Sequence, residues 1–531
     1  MNAHRFAAAP FRLVAALIVL TASGGAEAAS RYVSRDGRNQ YPYTTPEDAA
    51  LKIQSAVDAA EEGDEVVVGP GEYTEHVVLK QGVNLSGSGP DEVTVRGVKP
   101  VQPVLTLTWD NAVKGLTVVG PPYAGVGIYA EVGVPAEKSG SLTPFRISDC
   151  RIQSCPGPGI LVMARQELGE MVTPDPRFAT PEEWEAYLSA IYHTELHVEV
   201  SACEITRCGR NGIVVHVEDL LGNYEYQVDT PIQLGFKNAT LRMSDSTVAD
   251  CAQNGIVVRA GWHDRARVIM ENCVVSGNGG YGVRVMSEGA TWDGAMVRMN
   301  NCLVSGNQKA GVWSFSIDDG CWGMICVQPF AVGSVFAVSS TVTGNSVGIV
   351  GSPFPPGLAA GTAPRISLKN CIVYGNKEVD IDFRWFEYAV PMAGGIRHSC
   401  IGWKEIAGLR ANIDDDPLFV DPENGDFRLP PGSPCIDAGG MYLQPTITFE
   451  DDAPSISWYP GADLDGNPRI SGNGPDMGAY EAPGAPPNYL LESSEDLVIW
   501  TEEYYGPATS WTDPHPDSSR TKFYRVRIGR Q

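Results

Sequence analysis

Three positions recur in five segments of this chain that align with one another without gaps, and the residues they carry could do chemistry. The first position holds Leu161, Val214, Val257, Arg284 and Trp313; the second holds Met163, His216, Arg259, Met286 and Phe315; the third holds Arg165, Glu218, Gly261, Glu288 and Ile317. Two carboxyl groups hydrolyse a glycosidic bond when they stand about 5 to 5.5 Å apart for retention or about 6.5 to 9.5 Å for inversion. Glu218 and Glu288 lie two repeats apart, about 9.6 Å if repeats stack as parallel strands, which is nearer inversion. Elimination instead needs a base for the proton beside a uronate carboxylate and a cation to acidify it. Arg259, Arg284 or His216 could act there, with carboxylates holding calcium. Trp313, Phe315 and Trp262 offer flat faces to the apolar side of a sugar ring, and Arg284 a bidentate fork to a carboxylate or sulfate. The same residues have plainer uses: outward Arg and Glu pair across strands, His216 packs under a loop, and Trp313 and Phe315 are covered by the insertion that follows them.

The elements that must position these side chains are repeats. Seven segments align, starting ISDCRIQSC (147), VSACEITRC (200), MSDSTVADC (243), MENCVVSGN (270), MNNCLVSGN (299), AVSSTVTGN (337) and LKNCIVYGN (368). Self-similarity at this density is the mark of a solenoid. Each unit reads strand, tight turn, strand, with apolar residues alternating at period two. Cys150, Cys203, Ser246, Cys273, Cys302, Ser340 and Cys371 share one column; Cys155, Cys208, Cys251, Asn278, Asn307, Asn345 and Asn376 share another. Stacked rungs turn such columns into ladders: buried Cys acts as a small hydrophobe, and Asn amides bond up and down the stack. Ile160, Ile213, Ile256, Val283 and Val312 supply an apolar interior without a globular core. Cys321 and Cys326 lie off both ladders in one loop and are the pair best placed for a disulfide.

Three units carry long insertions, at about 164 to 199, 218 to 239 and 316 to 336, all leaving after the strand that follows the glycine turn. A common exit corner makes these loops one wall of a groove beside the stacked strands. The first insertion contains Thr180-Pro181-Glu182-Glu183, a capping box ahead of Trp184, Tyr187 and Leu188. Upstream, Thr45-Pro46-Glu47-Asp48 predicts a helix start, with Ala49, Ile53, Ala56, Val57 and Ala60 as its apolar stripe and the open end of the stack beneath it.

The ends and the composition set the setting. Arg5 and Arg12, the apolar run Leu13 to Leu20 and Ala26-Glu27-Ala28 read as a secretory signal over residues 1–28; no later stretch reaches the ~20 apolar residues that span a bilayer. The chain carries 39 Lys+Arg against 64 Asp+Glu, a formal charge of −25, which argues against a nonspecific nucleic-acid binder. Residues 482–488 read as a linker, and 489–531 as a small β module. Asp463-Leu464-Asp465-Gly466-Asn467 starts like a calcium loop, yet Gly474 stands where an EF-hand needs Glu. No Cys/His set has zinc spacing and no glycine loop ends in Lys-Ser/Thr.

IQSAVDAAEEGDEVVVGPGEY and the NCxVSGNxxxGV units resemble secreted right-handed parallel β-helix proteins of the pectate-lyase-like class. DPLFVDPENGDFRLPPGSPCIDAG (416 to 439) and DLDGNPRISGNGPDMGAYE (463 to 481) resemble the closing segments of bacterial β-helix repeat or choice-of-anchor proteins. The resemblance covers about residues 30 to 481 and implies the fold. It implies an activity only loosely, because the class holds lyases, hydrolases and epimerases. Trp262-His263-Asp264 and Asp318-Asp319-Gly320 are faint echoes of pectate-lyase and polygalacturonase motifs, without the companions those families carry.

The expected protein is therefore all-β: an exported, monomeric right-handed parallel β-helix of about ten or eleven rungs over residues 29–481, with an N-terminal capping helix. Its groove binds, and in the stronger form of the reading cleaves, a polysaccharide or cell-surface glycan, with Glu218, Glu288, Arg259 and His216 for catalysis and Arg284, Trp313, Phe315 and Trp262 for binding. Calcium is the one cofactor the acidic residues suggest. The alternative is a noncatalytic extracellular structural or adhesion protein.

Overall fold

The computed structural model describes residues 28–108, 110–133, 145–165, 180, 195–218, 238–262, 265–288, 295–317, 333–352, 366–382, 395–441, 461–483, 489–494, 501–506 and 523–528. Within them the chain coils, and almost every strand pairs in parallel with its counterpart one turn on. A rung begins with a long strand such as Glu195–Ser201, turns a corner, runs a short strand such as Glu204–Thr206, turns again and enters a third strand such as Ile213–Glu218. Long and short strands form one bent sheet of 21 strands, joined because Ala112–Val119 and Phe145–Gln153 run through the first corner; the third strands form a sheet of ten.

Both corners are made by one residue in the left-handed region. The first holds Asp149, Ala202, Asp245, Asn272, Asn301, Ser339, Asn370 and His398, all at φ between 45° and 54°. The second holds Ser154, Arg207 and Asp250, then Gly277, Gly306, Gly344 and Gly375. A side chain in this region costs about 1–2 kcal/mol, which glycine avoids. Each corner residue immediately precedes a ladder residue, so the repeated Gly-Asn pair is a corner and a rung tie in one dipeptide.

The ladders form as expected. Asn278, Asn307 and Asn345 are fully buried. Each donates its amide Nδ2 to the next Oδ1, at 2.9 Å to Asn307, 2.9 Å to Asn345 and 3.0 Å to Asn376, and Asn376 ends the chain on Asp380 at 2.7 Å. In the other ladder the Ser hydroxyls accept backbone N–H groups of Cys203 and Cys302 from the rung before. Ser399 extends it past the seven segments seen in sequence, accepting from Cys371 N–H at 3.1 Å. The ten described cysteines are all buried free thiols; a Cys155 thiol neighbour and burial push Cys208 up to about 12, and burial alone pushes Cys371 to about 12. Cys321 and Cys326 lie outside the described residues, as do Pro181-Glu182-Glu183 and the aromatics after them.

The helix starts later than expected, at Ile53–Ala59. Ala50 is held in backbone bonds with Tyr32 and Ser34 of the first strand, so the chain is extended there. Thr45 caps only a turn, accepting Asp48 N–H at 3.3 Å. The helix N-terminus is capped from a distance by the Glu75 carboxylate, which accepts Ile53 and Gln54 N–H at 2.9 and 3.2 Å. Ile53, Ala56 and Val57 enter the same core as Val66 and Val68 of the first rung.

Two C-terminal pieces complete the fold. Tyr489–Ser494 pairs antiparallel with both Thr501–Gly506 and Phe523–Ile528 in a separate three-stranded sheet. Residues 461–483 lie against the first corner of the coil: Gly478 N–H reaches Asn370 O at 2.8 Å and Ala479 N–H reaches Thr341 Oγ1 at 2.9 Å. Ala482, expected to open the linker, is tied to this segment, its N–H bonding Asp476 at 2.7 Å.

Candidate functional site

Alternation along the ten-stranded sheet sends Ile213, Val215, Ile256, Val258, Val283 and Val285 into the core, and the odd set outward. The first two outward columns stand as predicted: Leu161, Val214, Val257, Arg284 and Trp313 are in register, as are Met163, His216, Arg259, Met286 and Phe315. The third column is broken. Arg165 pairs with Glu218, but a bulge between Ala260 and Trp262 sets Trp262, in place of Gly261, opposite Glu288. A bulge adds one unpaired residue and re-aims its strand, so Glu288 falls in register with Trp262 rather than with Gly261. Both glutamates end their strands, and their side chains, with that of Trp262, lie outside the described residues. The long insertions do begin where expected, each following the last residue of a strand of this sheet: Arg165, Glu218 and Ile317.

Downstream on this face the structure brings three predicted residues together around residues the sequence reading missed. Trp313 stacks on Tyr281 with centroids 5.0 Å apart and planes at 13°, and on Phe315 at 5.1 Å and 18°. The guanidinium of Arg284 lies 4.7 Å from the Trp313 ring centroid and 5.4 Å from that of Tyr281; the Lys309 ammonium lies 5.2 Å from Tyr281. These rings line a groove of about 580 Å³ that runs over two further rungs, past Ser346 and Val350, to Glu378 and Asp382. Ser346 donates to Glu378 at 2.6 Å. Burial lowers the pKa of Arg284, Tyr281 opposes that shift, and Arg259 adds to it.

Tyr281 and Lys309 escaped the sequence reading because they precede the strand, in the turn after the ladder asparagine. Glu378 and Asp382 escaped because their segment diverges from the repeat after Asn376, although Asp382 pairs with Val350, the next residue of the Trp313 column. His216 and Arg259 are adjacent in register but not part of this cluster.

The acidic loop at 463–467 is a structural turn. The Asp463 carboxylate accepts the N–H groups of Asp465, Asn467 and Glu481 and the Asn467 amide at 2.6 to 3.1 Å, which occupies the oxygens a calcium ion would need. Asp416 likewise accepts Leu418 N–H at 2.8 Å. Among the described residues no three His, Cys, Asp or Glu side chains are placed to share a metal ion.

The model of the right-handed β-helix region matches residues 132–322. The fold is that of a right-handed parallel β-helix. Among solved structures, pectate lyase Pel9A aligns at 13% identity and TM-score 0.46, over 86% of this chain and 97% of its own. The Azotobacter vinelandii mannuronan C-5 epimerase AlgE4 A-module aligns at 14% and 0.39, over 66% and 81%. The Erwinia chrysanthemi pectin methylesterase PemA aligns at 10% and 0.29, over 66% and 90%. No curated protein matches the sequence. No helix among the described residues of this β-helix is long and apolar enough to cross a membrane.

Proposed function

We propose that this β-helix is an exported, monomeric protein that binds a polysaccharide along the outer face of its ten-stranded sheet. The observation that carries the reading is the Tyr281, Trp313 and Phe315 stack lining an open groove. Large aromatic side chains lined along a groove on the outer face suit a ligand with flat apolar faces and hydroxyl edges. Trp313 and Phe315 sit on a strand held from both sides, and Tyr281 on the turn leading into its neighbour, so the platform is set before the ligand arrives.

The test is binding of residues 29–531 to a panel of neutral, uronate and sulfated polysaccharides. Trp313→Ala and Phe315→Ala should each weaken the best ligand about tenfold, a loss of about 1.4 kcal/mol. Unchanged binding in both folded variants would remove the groove from consideration. Catalysis is tested in the same samples, with and without calcium. New reducing ends alone indicate hydrolysis and lead to Glu218 and Glu288; reducing ends with unsaturated-product absorbance indicate elimination and lead to Arg259, Arg284 and His216. The noncatalytic reading draws support from the bulge at Gly261, which separates the two glutamates from a common column. Folded protein that binds but yields neither signal would favour it.

A further inference from the structure

The groove has two unlike ends. At one, the Lys309 ammonium lies over Tyr281, and from the preceding rung Arg284 packs its guanidinium over the Tyr281 and Trp313 rings that line the groove; neither head group has a hydrogen bond or ion pair among the described residues. Arg284 Nε is buried with no acceptor. Cationic groups in a chain of net charge −25 ordinarily find a counterpart, and a buried donor left without an acceptor is destabilising. At the other end, two rungs on from Lys309 and Trp313, stand Glu378 and Asp382, about 9.6 Å away at strand spacing.

Resting on the polysaccharide reading of this groove, we propose that it takes a glycan whose acidic sugars are interrupted by neutral ones, with an anionic substituent at Arg284 and Lys309 and a hydroxyl-rich ring at Glu378 and Asp382. A carboxylate or sulfate completes the fork of Arg284 and separates it from the like charge of Arg259 beside it. The carboxylates at the far end accept sugar hydroxyls and repel a second anion. A polymer charged on every ring meets attraction and repulsion together, and a neutral one leaves the two cations unanswered. The charge order along the helix axis thus acts as a filter on charge spacing.

The experiment compares binding of hyaluronan and κ-carrageenan, which alternate a charged with a neutral ring, with polygalacturonate and a neutral galactan, for the wild type, Arg284→Gln with Lys309→Gln, Glu378→Gln with Asp382→Asn, and Trp313→Ala. An alternating polymer should bind at least tenfold tighter than the other two; hyaluronan and κ-carrageenan distinguish carboxylate from sulfate. Removing the cations should erase that preference while leaving neutral binding within twofold, and removing the acids should strengthen polygalacturonate selectively, about tenfold. Equal binding of alternating and uniform polyanions, unmoved by the acid-side variant, would overturn the inference and leave the groove standing. Loss of no ligand on Trp313→Ala would instead overturn the groove itself. Circular dichroism and melting of each variant separate these outcomes from misfolding.

Discussion

Asn307 shows how much one side chain holds. Fully buried, its Oδ1 accepts from both the backbone N–H and the amide of Asn278, at 3.1 and 2.9 Å, and its Nδ2 donates to Val275 O and Asn345 Oδ1. Asn307→Ala strands two donors and two acceptors inside the coil, so stability should fall by about 3 kcal/mol, read as a lower thermal midpoint with little change in glycan binding. Asn307→Asp should be nearly as costly, because a carboxylate accepts but cannot donate onward. Only Asp380, where the donor chain ends, can be an acid. The ladder was legible at residue scale because identical side chains stacked on one another leave a repeated letter in the sequence. The groove was legible only in part: Arg284, Trp313 and Phe315 fall in strand columns, whereas Tyr281 and Lys309 fall in turns, where period two gives no guidance, and a bulge such as that at Gly261 shifts a column without a mark in a gapless alignment.

Among the elements, the closing segment has the most concentrated polar chemistry. Arg469, 2% exposed, donates to Gly478 O, Ala479 O and Glu481 within the segment and to Asn301 and Ser339 O on the coil. Arg469→Ala leaves Glu481 buried without its cation and should cost about 3–5 kcal/mol, seen as early proteolytic cleavage within 461–483. Glu481 itself is pushed up to about 8 by burial and by the neighbouring Asp476, against the pull of Arg469 at 3.1 Å. Burial wins because one Glu481 oxygen has no hydrogen-bond partner. Asp476 is raised in the same way. A carboxyl whose folded pKa is raised contributes stability that is complete below about pH 4.5 and lost as pH rises through about 8. Hydrogen exchange over 461–483 should therefore quicken from pH 5 to pH 9 after correction for the intrinsic rate, and Glu481→Gln should flatten that rise. The sequence marked this element by its resemblance to closing segments but not its seat, because its partners are corner residues that share a backbone conformation rather than a residue type. The helix start moved for a related reason: the pairing of Ala50 with the first strand, a contact distant in sequence, overrides a good local cap.

For the whole molecule, a solenoid is a sum of neighbours, and its rungs should be removable in units. Deleting residues 273–301 joins Asn272 to Cys302 and keeps a left-handed Asn ahead of the ladder, as at Asn301. The shortened chain should keep a β-rich circular dichroism spectrum with a lower melting temperature, and lose glycan binding, since Tyr281 and Arg284 leave with the deleted rung. Loss of folding would show that the stack is less modular than its pairing implies. At this scale the sequence was most informative in the middle, where Cys and Asn columns repeat, and least at the first rungs, whose strands Asn84–Gly87 and Val93–Arg96 pair in the same way without ladder residues to announce them. The closing segment also gives the coil a mechanical grain. It touches the coil at Asn301, Ser339, Thr341 and Asn370, so three successive turns are fastened to one strap, which bonds no earlier turn among the described residues. Stretched from its two ends, the protein should unwind one loop at a time from the N-terminal side as a train of small, even force peaks, and then resist with one taller peak as the strapped turns let go together.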